Sequence, residues 1–187
     1  MKKIVLFASG SGTNVENIIR YFQEKRTAEV VAVFCNNPNA KVLERATSFA
    51  IPTFVFSKEE LNSNVVLEKL AQNRPDLIVL AGFLLQFPVS IIQQFPNTIN
   101  IHPALLPKYG GKGMYGMHVH RAVLENKEPQ TGITIHYVTE NYDEGTYVFQ
   151  KSSSIETCIS PEEIAKKVHE LEQKHFPEVI EQILQKL

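Results

Sequence analysis

Residues 4–14 read IVLFASGSGTN, and this stretch decides how the chain is expected to fold. The apolar run Ile4–Ala8 is typical of a strand that is buried on both faces of a parallel sheet. Two glycines follow at once in Gly10-Ser11-Gly12. An amphipathic helix is predicted next by apolar residues at helical spacing, namely Val15, Ile18, Ile19 and Phe22. Strand, glycine turn and helix stand in the order of a phosphate-binding βα unit.

The glycine turn favours an anion, because glycines let the backbone approach closely and the first N–H groups of a helix lack partners. Thr13 and Asn14 add possible side-chain donors. A dinucleotide fits less well: Val15 replaces the third glycine of GxGxxG, and the second strand ends in Asn36-Asn37-Pro38 without an acidic residue. We therefore predict a phosphate monoester site, with a tight turn that binds nothing as the alternative.

The remaining chain alternates apolar runs with helical patterns, which indicates a doubly wound α/β sheet. Strands are predicted over 29–35, 53–56, 77–83 and 98–102, and helices over 41–50, 64–73 and 88–94. Residues 131–138 and 147–154 predict an antiparallel hairpin near the C-terminus. A long helix then begins at Ser160 and is expected to kink or break at Pro177. We expect one Rossmann-like domain, 1–187, with a mostly parallel sheet.

Composition narrows the class of partner. The formal net charge is -1 and no lysine or arginine cluster occurs, which argues against nucleic acid or an anionic membrane and favours a small molecule. Cys35 and Cys158 form no CxxC pair or His/Cys cluster, so neither a disulfide nor a metal site is expected. The apolar segments are shorter than signal or membrane segments require. We expect a cytoplasmic protein.

The strand Thr98–His102 carries the first candidate for catalysis. Asn100 and His102 lie two residues apart, so their side chains share one face of the strand, and Pro103 then ends the ladder. Ligands of open α/β sheets bind outside the carboxyl ends of strands. An amide and an imidazole there can stabilise an oxyanion, and the imidazole can carry a proton. The alternative is a turn-forming asparagine and an ordinary core histidine.

Two neighbouring segments are candidates for the walls of a site. Phe83–Phe87 follows a buried strand and could line a pocket for a flat heteroaromatic ligand, or could be ordinary packing. Lys108–Met117 is rich in glycine and is expected to form a loop beside the site. His118 and His120 follow this loop, but their spacing does not suit a metal site on a helix.

Five motifs in order resemble the glycinamide ribonucleotide (phosphoribosylglycinamide) formyltransferases over nearly the whole chain. They are Gly10–Asn14, Leu80-Ala81-Gly82-Phe83, Asn100–Tyr109 with its Asn-Ile-His-Pro and Leu-Leu-Pro-Lys-Tyr segments, His136, and Asp143-x-Gly145. The resemblance implies transfer of a formyl group from 10-formyltetrahydrofolate to the amine of glycinamide ribonucleotide in purine biosynthesis. It implies a reduced folate as co-substrate and no metal, and we expect a monomer or weak homodimer.

The resemblance also assigns roles to residues. Asn100, His102 and Asp143 would be catalytic, and His136 would order the site. The residues that would bind glycinamide ribonucleotide are Gly12, Thr13, Asn14, His169 and Glu172, with Glu172 on the ribose hydroxyls. The folate would lie against Leu84, Leu85, Gln86, Phe87, Asn100, Val138, Thr139, Glu140, Asn141, Tyr142 and Asp143.

Some features depart from the family or leave other functions open. The loop Gly110–Met117 is longer than in the family, and Leu85 stands where many members carry a basic residue.

The alternative functions are those of a formyltetrahydrofolate hydrolase, a methionyl-tRNA formyltransferase-like enzyme, or a non-catalytic phosphate-binding module. The first two families carry an extra domain, and a module would leave Asn100, His102 and Asp143 without a shared purpose.

Overall fold

A computed structural model describes residues 1–187, and its centre is one seven-stranded sheet. The strands are β1 (Lys2–Ala8), β2 (Ala28–Cys35), β3 (Thr53–Val55), β4 (Leu77–Leu80), β5 (Thr98–His102), β6 (Gln130–Tyr137) and β7 (Tyr147–Ser154). Their order is β3-β2-β1-β4-β5-β6-β7. The first five strands pair in parallel, while β6 runs antiparallel to β5 and β7. The predicted fold class is therefore confirmed.

Helices connect and cover the strands. They are α1 (Thr13–Lys25), α2 (Lys41–Ser48), α3 (Lys58–Leu61), α4 (Asn64–Asn73), α5 (Val89–Gln94), α6 (Met117–Glu125) and α7 (Pro161–Leu184). The chain leaves β1 toward β2 on one side and later returns to β4 on the other side. Such a reversal of strand order opens a crevice at the carboxyl ends of the two strands, where ligands bind.

Alternate residues of β1 enter two separate cores. Ile4, Leu6 and Ala8 join the larger core, which includes apolar residues of α1, α6 and α7. Val5 and Phe7 point to the opposite face, into a smaller core rich in phenylalanine. Because a strand projects successive side chains to opposite faces, one continuous apolar run fills both cores. The strand is buried on both faces, as its sequence predicts.

Pro177 was expected to kink or break the last helix, and the break is not found, since α7 runs from Pro161 to Leu184 through it. A proline inside a helix leaves the carbonyl four residues earlier without a backbone donor. That carbonyl belongs to Gln173, and it accepts a hydrogen bond of 2.8 Å from Nδ2 of Asn17 on α1. The ring of Pro177 is itself buried. Contact with α1 therefore compensates for the missing backbone bond and keeps α7 against the start of α1.

Two local predictions also need correction. The fourth strand ends at Leu80, three residues before the predicted Phe83, because Gly82 takes a left-handed conformation (φ 81°) that turns the chain into the crevice. Helix α3 was not expected. Ser57 begins it with a complete capping box, in which the Ser57 hydroxyl accepts from the N–H of Glu60 and the Glu60 carboxylate accepts from the N–H of Ser57.

Candidate active site

One cavity of about 910 Å³ opens at the carboxyl ends of β1, β4 and β5. Small-molecule sites typically enclose roughly 300–1,000 Å³. The wall contains every residue to which the sequence analysis gave a role in catalysis, substrate binding, folate binding or ordering of the site. Those residues come from widely separated parts of the chain. The fold therefore brings them to one place, which is the geometric requirement for the roles assigned to them.

Strand pairing positions the first part of the site, which we call the polar cluster: Asn100, His102, His136 and Asp143. Asn100 lies opposite His136 in the antiparallel pair of β5 and β6. Nδ2 of Asn100 is 3.2 Å from Nε2 of His136. Side chains directly opposite in such a pair stand close enough for contact. The register of two strands thus fixes the amide beside the imidazole.

The ring of His102 is held from both sides. Its Nε2 lies 2.7 Å from the backbone carbonyl of Tyr109. A carbonyl only accepts, so Nε2 carries a proton. Nδ1 lies 3.5 Å from Oδ2 of Asp143, another residue of the cavity wall. Nδ1 is therefore the ring nitrogen that can gain or lose a proton next to a ligand.

Burial and charge oppose each other at His102, whose side chain is only 4% exposed. Burial lowers the pKa of His102, the Asp143 carboxylate and the Tyr109 carbonyl raise it, and the net shift is downward. The ring is therefore neutral near pH 7 and able to accept a proton at Nδ1. Asp143 stands where it stabilises the imidazolium that would result.

Asp143 lies in the loop between β6 and β7 and reaches back to β5. Burial alone raises the pKa of this carboxyl, but the neighbouring rings of His136 and His102 and the Gly111 N–H outweigh burial and hold the pKa below its usual value. The Gly111 N–H donates to Oδ2 at 2.9 Å. Asp143 adopts a left-handed backbone conformation (φ 57°), which aspartate tolerates better than most residues. The carboxylate is thus ionised, oriented and nearly excluded from solvent.

His136 links the amide to the carboxylate. Its Nδ1 lies 2.9 Å from the carbonyl of Tyr137, so Nδ1 carries a proton. Nε2 is within 3.4 Å of Oδ1 of Asp143 as well as near Asn100. A neutral ring accepts from the Asn100 amide at this atom, and a protonated ring donates to Asp143. Either form restrains both neighbours.

A second set of residues, which we call the cradle, comprises Gly10–Asn14, His169 and Glu172. Gly12 caps α1 in a left-handed conformation (φ 74°). A Cβ at this position would lie 2.4 Å from the Val42 side chain, so glycine is required both by conformation and by space. The turn therefore presents the N-terminus of α1, with its first N–H groups, to the cavity.

Helix α7 supplies the acidic side of the cradle. Oε2 of Glu172 accepts from Nδ2 of Asn14 at 3.0 Å and lies 3.3 Å from Nδ1 of His169. Nε2 of Gln173 donates to Oδ1 of Asn14 at 2.9 Å. The hydrogen bond to Glu172 raises the pKa of His169, against the effect of burial. His169 is 43% exposed, so the cradle is more open to solvent than the polar cluster.

The remaining wall is a slot between two loops. Nε2 of Gln86 donates to the carbonyl of Glu140 at 2.7 Å, which joins the segment after β4 to the segment after β6. Phe83 and Phe87 are buried in the phenylalanine-rich core, while Leu84 and Leu85 are more exposed. The segment Phe83–Phe87 thus does both things that its sequence allowed: part of it packs and part of it lines the cavity.

Some residues in and around this wall were missed by sequence reasoning. Tyr109 was quoted only as part of a motif, yet its carbonyl orients His102. Lys112 is the only lysine or arginine in the wall. His120 lines the cavity and is 5% exposed. The sequence did contain a signal for His120, which lies on the same helical face as Val123 and Leu124. For Tyr109 there was none, because no local pattern identifies a backbone carbonyl that binds a side chain.

Comparison with known proteins identifies the family. A family model described as formyl transferase matches residues 2–180. The chain belongs to the formyl transferase family. The phosphoribosylglycinamide formyltransferase of Bacillus subtilis (strain 168) is 36% identical over 98% of this chain and 95% of its own. The chloroplastic enzyme of the same name from Arabidopsis thaliana is 38% identical over 96% of this chain, which spans 64% of that relative's length.

Solved members of the family have the same fold. Glycinamide ribonucleotide transformylase 1 from Symbiobacterium toebii superposes with a TM-score of 0.91 at 27% identity, over 100% of this chain and 89% of that one. Phosphoribosylglycinamide formyltransferase from Bacillus halodurans gives 0.88 at 31% identity, over 99% and 96%. The resemblance seen in the sequence motifs is confirmed.

Neither a metal-binding cluster nor a membrane-spanning helix is found in the structure. No group of three or more histidine, cysteine or acidic residues is arranged to hold a metal ion. No helix combines the length and the apolar character that crossing a membrane requires.

Proposed function

We propose that this formyltransferase moves the formyl group of 10-formyltetrahydrofolate to the amine of glycinamide ribonucleotide, giving formylglycinamide ribonucleotide and tetrahydrofolate in de novo purine biosynthesis. The observation that carries the proposal is the single cavity that joins the cradle to the polar cluster. A ligand with a phosphate at one end and an amine at the other matches these two features. The confirmed family supports formyl transfer as the reaction.

The cradle would bind the ribonucleotide. The N–H groups at the start of α1 and its helix dipole favour the 5′-phosphate beside Gly12, Thr13 and Asn14. His169, with its raised pKa, adds a positive charge on the same side. The Glu172 carboxylate lines the cavity next to Asn14 and is an acceptor that suits the ribose hydroxyls.

The slot would bind the folate. A pteridine is flat and largely apolar with a polar edge, and the more exposed Leu84 and Leu85 offer an apolar wall. The N–H groups of Leu85 and Gln86 make no hydrogen bond within the protein, so they can donate to a ligand. The opposite wall of the slot is formed by Val138, Thr139, Glu140, Asn141, Tyr142 and Asp143.

The polar cluster would carry out the transfer. The folate supplies the formyl carbon; a C–N bond forms to the substrate amine and the C–N bond to the folate breaks. An amide nitrogen has two hydrogens, so Asn100 can contact His136 with one and donate the other to the formyl oxygen as negative charge develops there. His102 would accept the amine proton at Nδ1 and return it to the departing folate nitrogen.

Asp143 would act on the charge of His102. As the ring takes up a proton, the carboxylate 3.5 Å away stabilises the imidazolium without leaving its own hydrogen bonds. Holding amine and formyl carbon side by side supplies a further large part of the rate enhancement. His136 would keep Asn100 and Asp143 in their positions, which is the ordering role proposed for it.

The alternative functions are not favoured. The relatives and structural neighbours described above are named for phosphoribosylglycinamide formyltransferase or glycinamide ribonucleotide transformylase, not for a hydrolase or a tRNA-modifying enzyme. A module that only binds phosphate would not need the buried contacts of Asn100, His102 and Asp143.

The test is an absorbance assay for loss of the formyl group from 10-formyltetrahydrofolate, run with and without glycinamide ribonucleotide. Deformylation that requires the ribonucleotide, with one formylated product per folate consumed, supports the proposal. Equal deformylation without it would indicate a hydrolase. No deformylation in either case, with the folate bound, would contradict a catalytic role.

A further inference from the structure

His120 has an unusual environment for a buried histidine. Only two buried side-chain polar atoms in the protein lack a hydrogen-bond partner: Nδ1 of His120 and Oγ1 of Thr131. Thr131 does not line the cavity, whereas His120 does. The other ring nitrogen, Nε2, also makes no protein hydrogen bond, yet it is not closed off from solvent as Nδ1 is. Buried polar groups are nearly always paired, and this ring has no partner within the protein. Nε2, the nitrogen that is not closed off, is therefore free to bond a ligand that enters the cavity.

His120 lines the same cavity as Glu172 of the cradle and His102 of the polar cluster. Burial lowers the pKa of His120; the Glu172 carboxylate raises it and the His102 ring lowers it further. His120 is therefore within electrostatic reach of both the cradle and the polar cluster. Its lowered pKa keeps the ring neutral near pH 7, with one donor and one acceptor nitrogen.

The proton of the neutral ring belongs on Nε2. A buried N–H without an acceptor is rarer in proteins than a buried acceptor without a donor. Nδ1 has no neighbour to accept from it, so the proton is better placed on Nε2, which can reach a ligand. His120 thus offers the cavity a single, uncharged hydrogen-bond donor, which suits a neutral oxygen acceptor.

We propose that His120 is a specificity-determining residue that donates from Nε2 to the amide carbonyl of the glycinamide group. This inference rests on the proposed function. In the proposed binding mode the ribose would lie against Glu172 and the amine against His102, and the amide carbonyl would be the acceptor between them. The contact would tell a glycinamide from an amine that lacks the carbonyl, because the lone donor is left unpaired by the latter.

The test compares three variants with the wild type. His120→Leu keeps bulk but removes the donor, and should raise KM for glycinamide ribonucleotide about 10- to 100-fold with kcat within about threefold. His120→Gln carries an amide donor in place of Nε2 and should recover much of the loss. His118→Leu is the control, because His118 is exposed on the same helix and does not line the cavity. KM for the folate should not change in any of them.

A substrate analogue identifies the atom that His120 contacts. A carbocyclic analogue with methylene in place of the amide carbonyl should bind wild type and His120→Leu equally well in calorimetry. A loss of affinity in His120→Leu as large as that seen with the parent substrate would overturn the assignment to the carbonyl.

If His120→Leu fails to bind folate, KM for glycinamide ribonucleotide is compared between His120→Gln, whose amide donor replaces Nε2, and His120→Asn, whose amide is one carbon shorter. Equal KM in those two variants would overturn the role of Nε2. A wild-type protein that does not use glycinamide ribonucleotide would instead refute the proposed function itself.

Discussion

The polar cluster and the cradle occupy one cavity but are built in different ways. In the polar cluster, His102 is 4% and Asp143 10% exposed, and both ring nitrogens of His102 and both carboxylate oxygens of Asp143 lie within 3.5 Å of another part of the chain. In the cradle, the anion site is backbone at the start of α1, and His169 is 43% exposed. The difference in exposure fits the proposed roles: buried groups where bonds would change, and a more solvent-exposed surface where the substrate would be held.

The largest effect is expected from His102→Ala, which removes the group that would accept the amine proton and return it to the folate nitrogen. A positioned acid–base group typically contributes about 10²–10⁴-fold, so kcat should fall about 10³-fold. Steady-state kinetics with circular dichroism to verify folding would measure it, with His118→Ala as the exposed control. A folded His102→Ala enzyme with kcat within tenfold of wild type would remove His102 from the chemistry.

Sequence alone predicted many features of the polar cluster and the cradle, because short stretches of the chain encode them. The βα unit at 4–25 follows from a strand run, a glycine turn and a helical stripe, each encoded within a few residues. The shared face of Asn100 and His102 follows from the two-residue period of a strand. These are the features for which backbone geometry and side-chain pattern agree.

The features that could not be predicted depend on contacts between distant residues. Nothing near Pro177 in the sequence indicates that Asn17 will bond the Gln173 carbonyl and let the helix continue. Nothing near Asp143 in the sequence indicates that its carboxylate reaches His102 on another strand. Only the family resemblance predicted that these two residues act together. The contact of the Tyr109 carbonyl with His102 involves the backbone, so no pattern of side chains in the sequence could predict it.

An intermediate effect is expected at Glu172, where the comparison can be sharpened. Glu172→Gln removes the charge that contacts Asn14 and His169, and it should raise KM for glycinamide ribonucleotide about 10-fold while kcat stays within about threefold. Glu170→Gln is the matched control, since Glu170 is exposed on the same helix and outside the cavity wall. A fall in kcat with unchanged KM would show that the cradle takes part in the chemistry.

The smallest effect is expected from titration of His169. Its pKa is raised, chiefly by the hydrogen bond to Glu172, so the ring stays protonated at pH values where an ordinary histidine is neutral. The positive charge is present below the raised pKa and is lost as pH rises through it. KM for the ribonucleotide should therefore increase about 2- to 5-fold more between pH 6.5 and 9 in wild type than in His169→Gln. The substrate amine titrates in both proteins and cancels; identical profiles would contradict a role for this charge.

The most direct test of the different roles of the polar cluster and the cradle is to measure kcat and KM of the Asp143→Asn variant. Asparagine tolerates the left-handed backbone at this position and keeps one oxygen that can accept from the Gly111 N–H, while the charge beside His102 is lost. Glu144→Gln, an exposed neighbour outside the cavity wall, is the control. We predict that kcat of Asp143→Asn falls about 10²-fold or more while KM for both substrates stays within about threefold. A variant that keeps wild-type kcat and loses only affinity would contradict the account.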